Sequence, residues 1–279
     1  MKQKVLKLII NYFFIRPLKK FFFYFTVKFN KNFYCFFFNI YSFLFGIKAK
    51  IKYESIYYFL EENNKSWRFY HRHQGLMAYS NGLLKRGLQL RKEYLIEKIN
   101  FYNGDEIIDC GANNGDFFLS FDKKINYTGL EPSKIEYSNL NYNIKNQTLI
   151  NKALWKKSNS YLNFFVSGEL ADNSLIKISN YEETQKVSTI TLDDIIDIIS
   201  KKIKLVKIEA EGAEPEVLIG LKKNLNKVEY ITIDCGFERG LKKESTLVEC
   251  VNYLLENNFK ILDFSNNRVV VLFKNKLFK

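Results

Sequence analysis

The sequence predicts an α/β chain: a doubly wound, mostly parallel sheet that ends in an antiparallel hairpin and carries a helical N-terminal extension. Three observations predict it. From residue 103 onward, short apolar runs alternate with capped helix starts, the pattern of strand, helix, strand units. The stretch DCGANNGD, residues 109–116, sets two glycines four apart directly after an apolar run, which marks a strand stopping at a tight, backbone-exposed turn. The first 53 residues hold eleven Lys or Arg, no Asp or Glu, and 18 of the 46 aromatic residues.

Taken in order, residues 1–53 are a basic, aromatic-rich segment with runs such as FFFYF (21–25) and FYCFFF (33–38). Of the net charge of +13, eleven positive charges lie here, which leaves +2 for residues 54–279. A nucleic-acid arm is basic and flexible with few large apolar residues, so no nucleic-acid partner is expected. A spanning helix needs about 20 predominantly apolar residues. Arg16, Lys19, Lys20, Lys28 and Lys31 interrupt every candidate, and the cleanest run, 33–47, still contains Asn39 and Ser42. No small-residue cleavage site of a signal peptide is present after it. Two readings stay open. The leading one is a segment lying in the headgroup layer, rings at the interface and cations facing anionic lipid, which places the protein in the cytoplasm, peripheral on the inner membrane face. The other is a helical layer packed on the body of the protein or on a second subunit. The oligomeric state does not follow from the sequence.

Residues 54–98 read as a helical connector. Leu84, Leu88, Leu90, Tyr94, Leu95 and Ile99 fall near helical spacing, predicting a helix over 83–99. His71 and His73 form an H-x-H pair with no companion acid or cysteine, so no metal site is expected. Cys35, Cys110, Cys235 and Cys250 lie far apart without a C-x-x-C pair; buried, reduced thiols are the natural reading.

Residues 99–279 form the third part. Strands are predicted at 106–110, 127–130, 148–151, 205–208 and 228–234. Helix starts carry capping boxes at Ser133 to Glu136 and Thr246 to Glu249, and Thr191 precedes LDDIIDII with acids in its first turn. A further helix opens with Glu211, Glu214 and Pro215, with Ala213, Val217, Leu218 and Leu221 on its core face. FKILDF and RVVVLF flank Ser265, Asn266 and Asn267, the signature of the closing hairpin.

Gly111 and Gly115 let backbone N–H groups approach a ligand where the first strand hands over to a helix. A dinucleotide fingerprint, G-x-G-x-x-G, has glycine where this chain has Asn113, which disfavours a pyrophosphate and a nicotinamide dehydrogenase. A smaller, amino-acid-bearing nucleoside suits the turn better. Glu131 ends the second strand, where a carboxylate can accept hydrogen bonds from both ribose hydroxyls. On this pair alone, an ordinary tight strand-to-helix turn is an equal reading.

The rest of the chain adds an ordered set of motifs: DCGANNG, GLEPS (129–133), NKALW (151–155), STITLDD (188–194) and KLVKIEAEGAEPEVLIG (204–220). This set resembles the FkbM family of S-adenosylmethionine-dependent methyltransferases over roughly residues 99 to 275. The resemblance implies a Rossmann-like, class I methyltransferase domain at 99–279 with S-adenosyl-L-methionine as cofactor and no metal. It implies that Asp109, Gly111, Asn113 and Gly115 surround the methionine part, that Glu131 holds the ribose, and that Asn151 and Ala153 lie by the adenine. Glu209, at the end of the fourth strand, would face the transferable methyl group; the family usually has Asp there. Glu209 is the first candidate general base and Asp234 the second. Lys207 is expected to keep Glu209 ionised, against the plainer reading of a solvated strand edge.

The implied activity is O-methylation of a hydroxyl on a sugar, glycan precursor or other small metabolite. Acceptor loops are expected at SGELADNS (167–174) and GFERGL (236–241). A nucleic-acid methyltransferase is disfavoured by the near-neutral residues 54–279 and by the lack of an N-P-P-Y or D-P-P-Y motif. The non-enzyme alternative is a membrane- or partner-bound scaffold that keeps the fold without turnover.

Overall fold

The structure, a computed structural model, describes residues 16–168, 173–265 and 268–278. Residues 1–15, the middle of SGELADNS and the hairpin residues Asn266 and Asn267 lie outside the described residues. The chain divides into two compact units, residues 1–85 and 86–279.

The N-terminal unit contains α1 (Arg16–Lys28), α2 (Lys31–Leu44), an antiparallel meander of β1 (Lys50–Glu54), β2 (Tyr57–Glu62) and β3 (Lys65–Phe69), and α3 (Arg72–Met77). The meander corrects the helical connector expected from residue 54. Asn63 and Asn64 both take positive φ, 48° and 63°, and form the two-residue connection between β2 and β3, the backbone that matches strand twist. Alternating Tyr58, Leu60, Trp67 and Phe69 are buried on one side. The boundary expected at residue 53 falls inside this sheet, because α2 is tied to β1. Asn39 Nδ2 donates to the Ile51 carbonyl at 2.9 Å, and Ile51 N–H donates to Asn39 Oδ1 at 2.7 Å. Ser42 Oγ donates to the carbonyls of Ile47 and Ala49. Tyr34, Cys35, Phe38 and Tyr41 are the buried apolar face of α2, while Phe33, Phe36, Phe43 and Leu44 are exposed on the other. Among the described residues no helix is long and apolar enough to cross a membrane.

The helix expected over 83–99 stops early. It runs as α4 (Leu83–Glu93); Leu95 then adopts left-handed backbone, φ 60°, and leads into a single 3₁₀ turn at Ile96–Lys98. Leu90, Tyr94 and Ile99 are buried, whereas Leu84 and Leu88 are exposed.

The C-terminal unit adds β4 (Glu106–Cys110), β5 (Asn126–Leu130), α5 (Lys134–Asn143), β6 (Thr148–Ile150), β7 (Ala153–Leu154), β8 (Tyr161–Val166), β9 (Glu183–Ile190), α6 (Leu192–Ile199), β10 (Ile203–Ile208), α7 (Glu214–Ile219), β11 (Val228–Asp234), α8 (Leu247–Glu256), β12 (Phe259–Ser265) and β13 (Val270–Asn275). Seven strands form one sheet in the order β12-β13-β11-β10-β4-β5-β6. The pairs from β6 to β11 are parallel, and β13 runs antiparallel to both β11 and β12. The expected doubly wound sheet and closing hairpin are therefore present, with strand ends within two residues of those predicted. The three strands β7, β9 and β8 make a second small sheet that the sequence did not lead us to expect.

Of the three expected caps, Thr191 alone accepts a helix N–H, from Asp194 at 3.1 Å. Ser133 and Thr246 turn instead to carboxylates. Ser133 Oγ donates to the Glu136 carboxylate, and Thr246 Oγ1 donates to Glu214 Oε2 at 3.0 Å. Glu214 is buried, and it also accepts the N–H groups of Ala210 and Gly212 at 2.8 and 3.1 Å. A buried carboxylate without such donors is costly, so Glu214 anchors the turn after β10 rather than merely facing the helix dipole. Cys110, Cys235 and Cys250 are buried free thiols.

Strand order reverses at β4, whose neighbours β5 and β10 lead the chain away in opposite directions. In sheets of this kind such a reversal leaves a crevice at the carboxyl ends of the strands beside it, here β4 and β10, and ligands bind there.

Candidate active site

The turn after β4 is shaped by close approach. Gly111 has φ +77°, and a Cβ there would lie 2.0 Å from the Glu209 carbonyl oxygen. Gly115 has φ +90°, and a Cβ there would lie 2.6 Å from Ile144 Cδ1. Both positions demand glycine for backbone and packing reasons, in addition to any room they leave for a ligand. Asn113, between them, also has positive φ, 47°. After Gly115 the chain enters a 3₁₀ turn, Asp116–Ser120, in place of the expected helix.

Glu131, one residue past β5, binds this turn to its own strand end. Its Oε2 accepts the Asn113 N–H and its Oε1 accepts the Ser133 N–H, each at 2.9 Å. Burial, reinforced by the nearby Glu136, pushes its carboxyl up to about 8 against the pull of those two N–H donors. Asn151 completes the bracket: its Nδ2 donates to the carbonyls of Glu131 at 2.8 Å and Pro132 at 3.0 Å. Ala153 lies in β7 and is buried with Phe164 and Val187, so its side chain belongs to the small sheet's core, not to the crevice.

Asp109 is likewise internal. It is 0% exposed, with Tyr127 donating its hydroxyl to Oδ2 at 2.5 Å and Lys207 Nζ lying 2.9 Å from Oδ1. Its carboxylate has no surface to offer a ligand; it holds Lys207. That lysine, in the centre of the sheet on β10, is 2% exposed and so is not a solvated edge. Besides Asp109 it reaches Glu209 Oε2 and the Gly111 carbonyl, both at 2.9 Å. Burial works against its charge, but Asp109 and Glu209 outweigh burial and raise its pKa.

Arg268, between β12 and β13, is the site residue that the motifs did not mark. Its Nε donates to Asp234 Oδ2 at 2.8 Å, and its Nη2 pairs with Glu209 Oε1 and with Asp234. Its guanidinium lies 5.7 Å from the centre of the Tyr94 ring. Burial alone would raise the Glu209 carboxyl, yet Lys207 and then Arg268 hold it well below the usual carboxylate range. Asp234 differs: burial raises its carboxyl, with Arg268 opposing. The only sequence signal for Arg268 is a lone cation opening the apolar run RVVVLF; its partners are 59 and 34 residues away in the chain.

Gly111, Asn113, Glu131 and Asn151 are thus gathered at adjoining strand ends, and Lys207, Glu209 and Asp234 at the next two. These residues fit S-adenosylmethionine. Each Glu131 oxygen accepts a single N–H, which leaves hydrogen-bonding capacity toward ribose hydroxyls in either charge state of the carboxyl. Among the described residues no group of acids, histidines and cysteines is arranged to hold a metal ion.

Several solved methyltransferases are similar to this chain. Ribosomal protein L11 methylase from Lactobacillus delbrueckii subsp. bulgaricus is 13% identical over 68% of this chain and 79% of its own, with a TM-score of 0.39. TYW2 of M. jannaschii, in complex with AdoMet, is 12% identical over 81% and 90%, with a TM-score of 0.38. An rRNA methylase from Streptococcus thermophilus is 10% identical over 68% and 96%, with a TM-score of 0.39. No curated protein matches the chain. The methyltransferase FkbM domain matches residues 109–261, from the buried Asp109 through the glycine turn, Glu131, Lys207, Glu209 and Asp234 into β12, more than half of the sequence. The chain belongs to the FkbM family and is an S-adenosylmethionine-dependent methyltransferase with the class I fold.

Proposed function

We propose that the enzyme methylates a hydroxyl oxygen on a sugar, a glycan precursor or another small metabolite. The observation that carries this reading is the group of carboxylates where β10 and β11 end, beside the glycine turn. When bound, S-adenosylmethionine supplies a sulfonium methyl: its carbon–sulfur bond breaks with the electron pair left on sulfur as the new carbon–oxygen bond forms. The chain's own residues have the remaining tasks. Gly111, Asn113 and Gly115 shape the turn that the donor lies against, Glu131 orients its ribose, and the Asn151 bracket keeps Glu131 in place. Glu209 and Asp234, kept ionised in part by Lys207 and Arg268, present negative charge to a cationic donor. An alcohol oxygen must also shed its proton, and a nearby carboxylate is a suitable acceptor. Protonating Glu209 means breaking pairs to both Lys207 and Arg268, so Asp234 is the better base of the two candidates taken from the sequence.

We further propose that residues 1–53 hold the enzyme peripherally on an anionic, inner membrane surface, within reach of lipid-linked glycan precursors. The support is the cation-only charge of this segment together with the exposed Phe33, Phe36 and Phe43 of α2.

The test incubates the protein with S-adenosylmethionine carrying a deuterated methyl group and with fractionated extract of its own cells. Mass spectrometry should find the label as a methyl ether in the carbohydrate or small-metabolite fraction. Label in nucleic acid would overturn the acceptor class, and label nowhere would return the chain to the scaffold alternative.

A further inference from the structure

We propose that Glu238, in the loop after β11, is the catalytic residue that takes the proton from the acceptor hydroxyl. This rests on the O-methylation proposed for the enzyme. Three carboxylates close the site at the ends of two adjacent strands, and two of them are already engaged. Glu209 is paired through one oxygen with Lys207 and through the other with Arg268. Asp234 is paired with Arg268 through Oδ2 and accepts the Gly236 N–H at Oδ1, 3.1 Å away. Glu238 makes no hydrogen bond or ion pair among the described residues. It is half-buried, so it is reachable from solvent and from a bound acceptor.

Its position is built, not incidental. A Cβ at residue 236 would lie 3.3 Å from both Asp234 Oδ1 and Glu238 Oε1, so the two carboxylates converge on the space that Gly236 leaves open. On the other side, Arg239 pins the loop. Its guanidinium is bidentate on Glu216 at 2.9 and 2.7 Å, and its backbone exchanges hydrogen bonds with Glu244 at 3.1 and 3.0 Å.

The charges around Glu238 suit a base. Burial, then Asp234 and Glu209 from the strand ends and Glu214 from α7, push its carboxyl from the ordinary 4.5 up to about 8, with Arg268 from the hairpin opposing. A base is most effective when its pKa lies near the working pH. Glu209 is far too weak a base by that measure. In the transfer, the hydroxyl proton passes to the Glu238 carboxylate, which becomes neutral, and is later released to water. No oxidant or further reactant is needed.

Glu238→Gln should lose methyl transfer by about 10²- to 10⁴-fold, the usual worth of acid–base catalysis, while calorimetry finds S-adenosylmethionine affinity unchanged. Wild-type transfer should rise with pH through a limb near 8, and Glu238→Asp should recover part of the rate. A second readout needs no substrate. A carboxyl whose folded pKa is raised keeps its proton in the native state after the unfolded chain has lost it, so stability falls as pH rises from about 4.5 through 8. Thermal unfolding of the protein alone should show Glu238→Gln gaining stability over wild type across that window. Wild-type transfer in Glu238→Gln, or a stability difference independent of pH, would overturn the assignment to Glu238 and leave O-methylation standing. Absence of transfer by the wild type would overturn O-methylation, and the Glu238 assignment with it.

Discussion

Phe43 is 83% exposed on α2 in the N-terminal unit, while Lys207 is 2% exposed on β10 in the C-terminal unit. Each is the reverse of what its side chain prefers. In residues 1–53 cations have no acidic residue of their own segment to pair with, and on α2 the rings of Phe33, Phe36 and Phe43 are exposed. In residues 86–279 charge is drawn inward: Lys207 is matched by two carboxylates and Arg268 by Glu209 and Asp234, with Glu93 a third at 3.9 Å. The two arrangements differ in what they cost. An exposed ring loses only the gain it would have made on burial, whereas a buried charge is tolerable only while its partners remain. One arrangement is therefore suited to meeting an external surface, the other to fixing charges for chemistry.

The contrast predicts a hierarchy of effects. Lys207→Met should cost about 3–5 kcal/mol of stability, because it leaves the fully buried Asp109 without a cation and Glu209 with Arg268 alone. Lys31→Gln should stay within about 0.5 kcal/mol, as expected for a solvated surface position. Urea unfolding of both variants checks the pair, and equal costs would erase the distinction between the units.

Next in size is the cofactor side of the sheet. Above pH 8, where the raised Glu131 carboxyl is ionised, Glu131→Ala should weaken S-adenosylmethionine binding by about 1.5–3 kcal/mol, the worth of hydrogen bonds to a charged group, measured by calorimetry. Gly111→Ala sharpens the point from another direction. Its Cβ would meet the Glu209 carbonyl and its φ of +77° disfavours any side chain, a strain of about 1–3 kcal/mol before the clash is counted. It should lower the unfolding temperature as well as affinity.

The smallest effect on stability is expected for Phe33→Ser, Phe36→Ser and Phe43→Ser combined, since all three rings are exposed. Their effect on vesicle binding should be large. Full-length protein should sediment with phosphatidylcholine vesicles that contain phosphatidylserine and much less with phosphatidylcholine alone. Each engaged cation contributes about 1 kcal/mol at most and is screened by salt, so the binding that survives high salt should be the part lost in the triple variant. If the variant instead converts a dimer to a monomer and leaves vesicle binding unchanged, the exposed face of α2 is a contact between copies of the chain.

Local chemistry is enough to read much of this molecule. The strand Glu106–Cys110, the strand Val228–Asp234 and the helix capped by Thr191 stand within a residue or two of where their apolar runs and cap residues place them, because each is specified by neighbours in the chain. The meander at 50–69 escapes such a reading although ENNK at 62–65 carries a hairpin signal. Its strands are short, and their aromatic residues match a helical face as readily as a sheet. Leu95 shows the opposite failure: a regular helical pattern is interrupted by a backbone reversal that no Gly or Pro announces.

The sequence by itself determined the parallel strands of the main sheet and its closing hairpin, the glycine turn after β4, and the uneven charge of the two ends, since all of these depend on residue type and spacing. Only the tertiary structure decided what each ionisable group does. Asp109 is an internal pillar and Glu214 an anchor; Arg268 arrives from the far hairpin to bind Glu209 and Asp234, and Glu238 stands beside them without a hydrogen bond or ion pair among the described residues. The physical reason is that the charge state and freedom of a buried group depend on distances of a few ångströms between strand ends tens of residues apart, and those distances exist only once the sheet has closed.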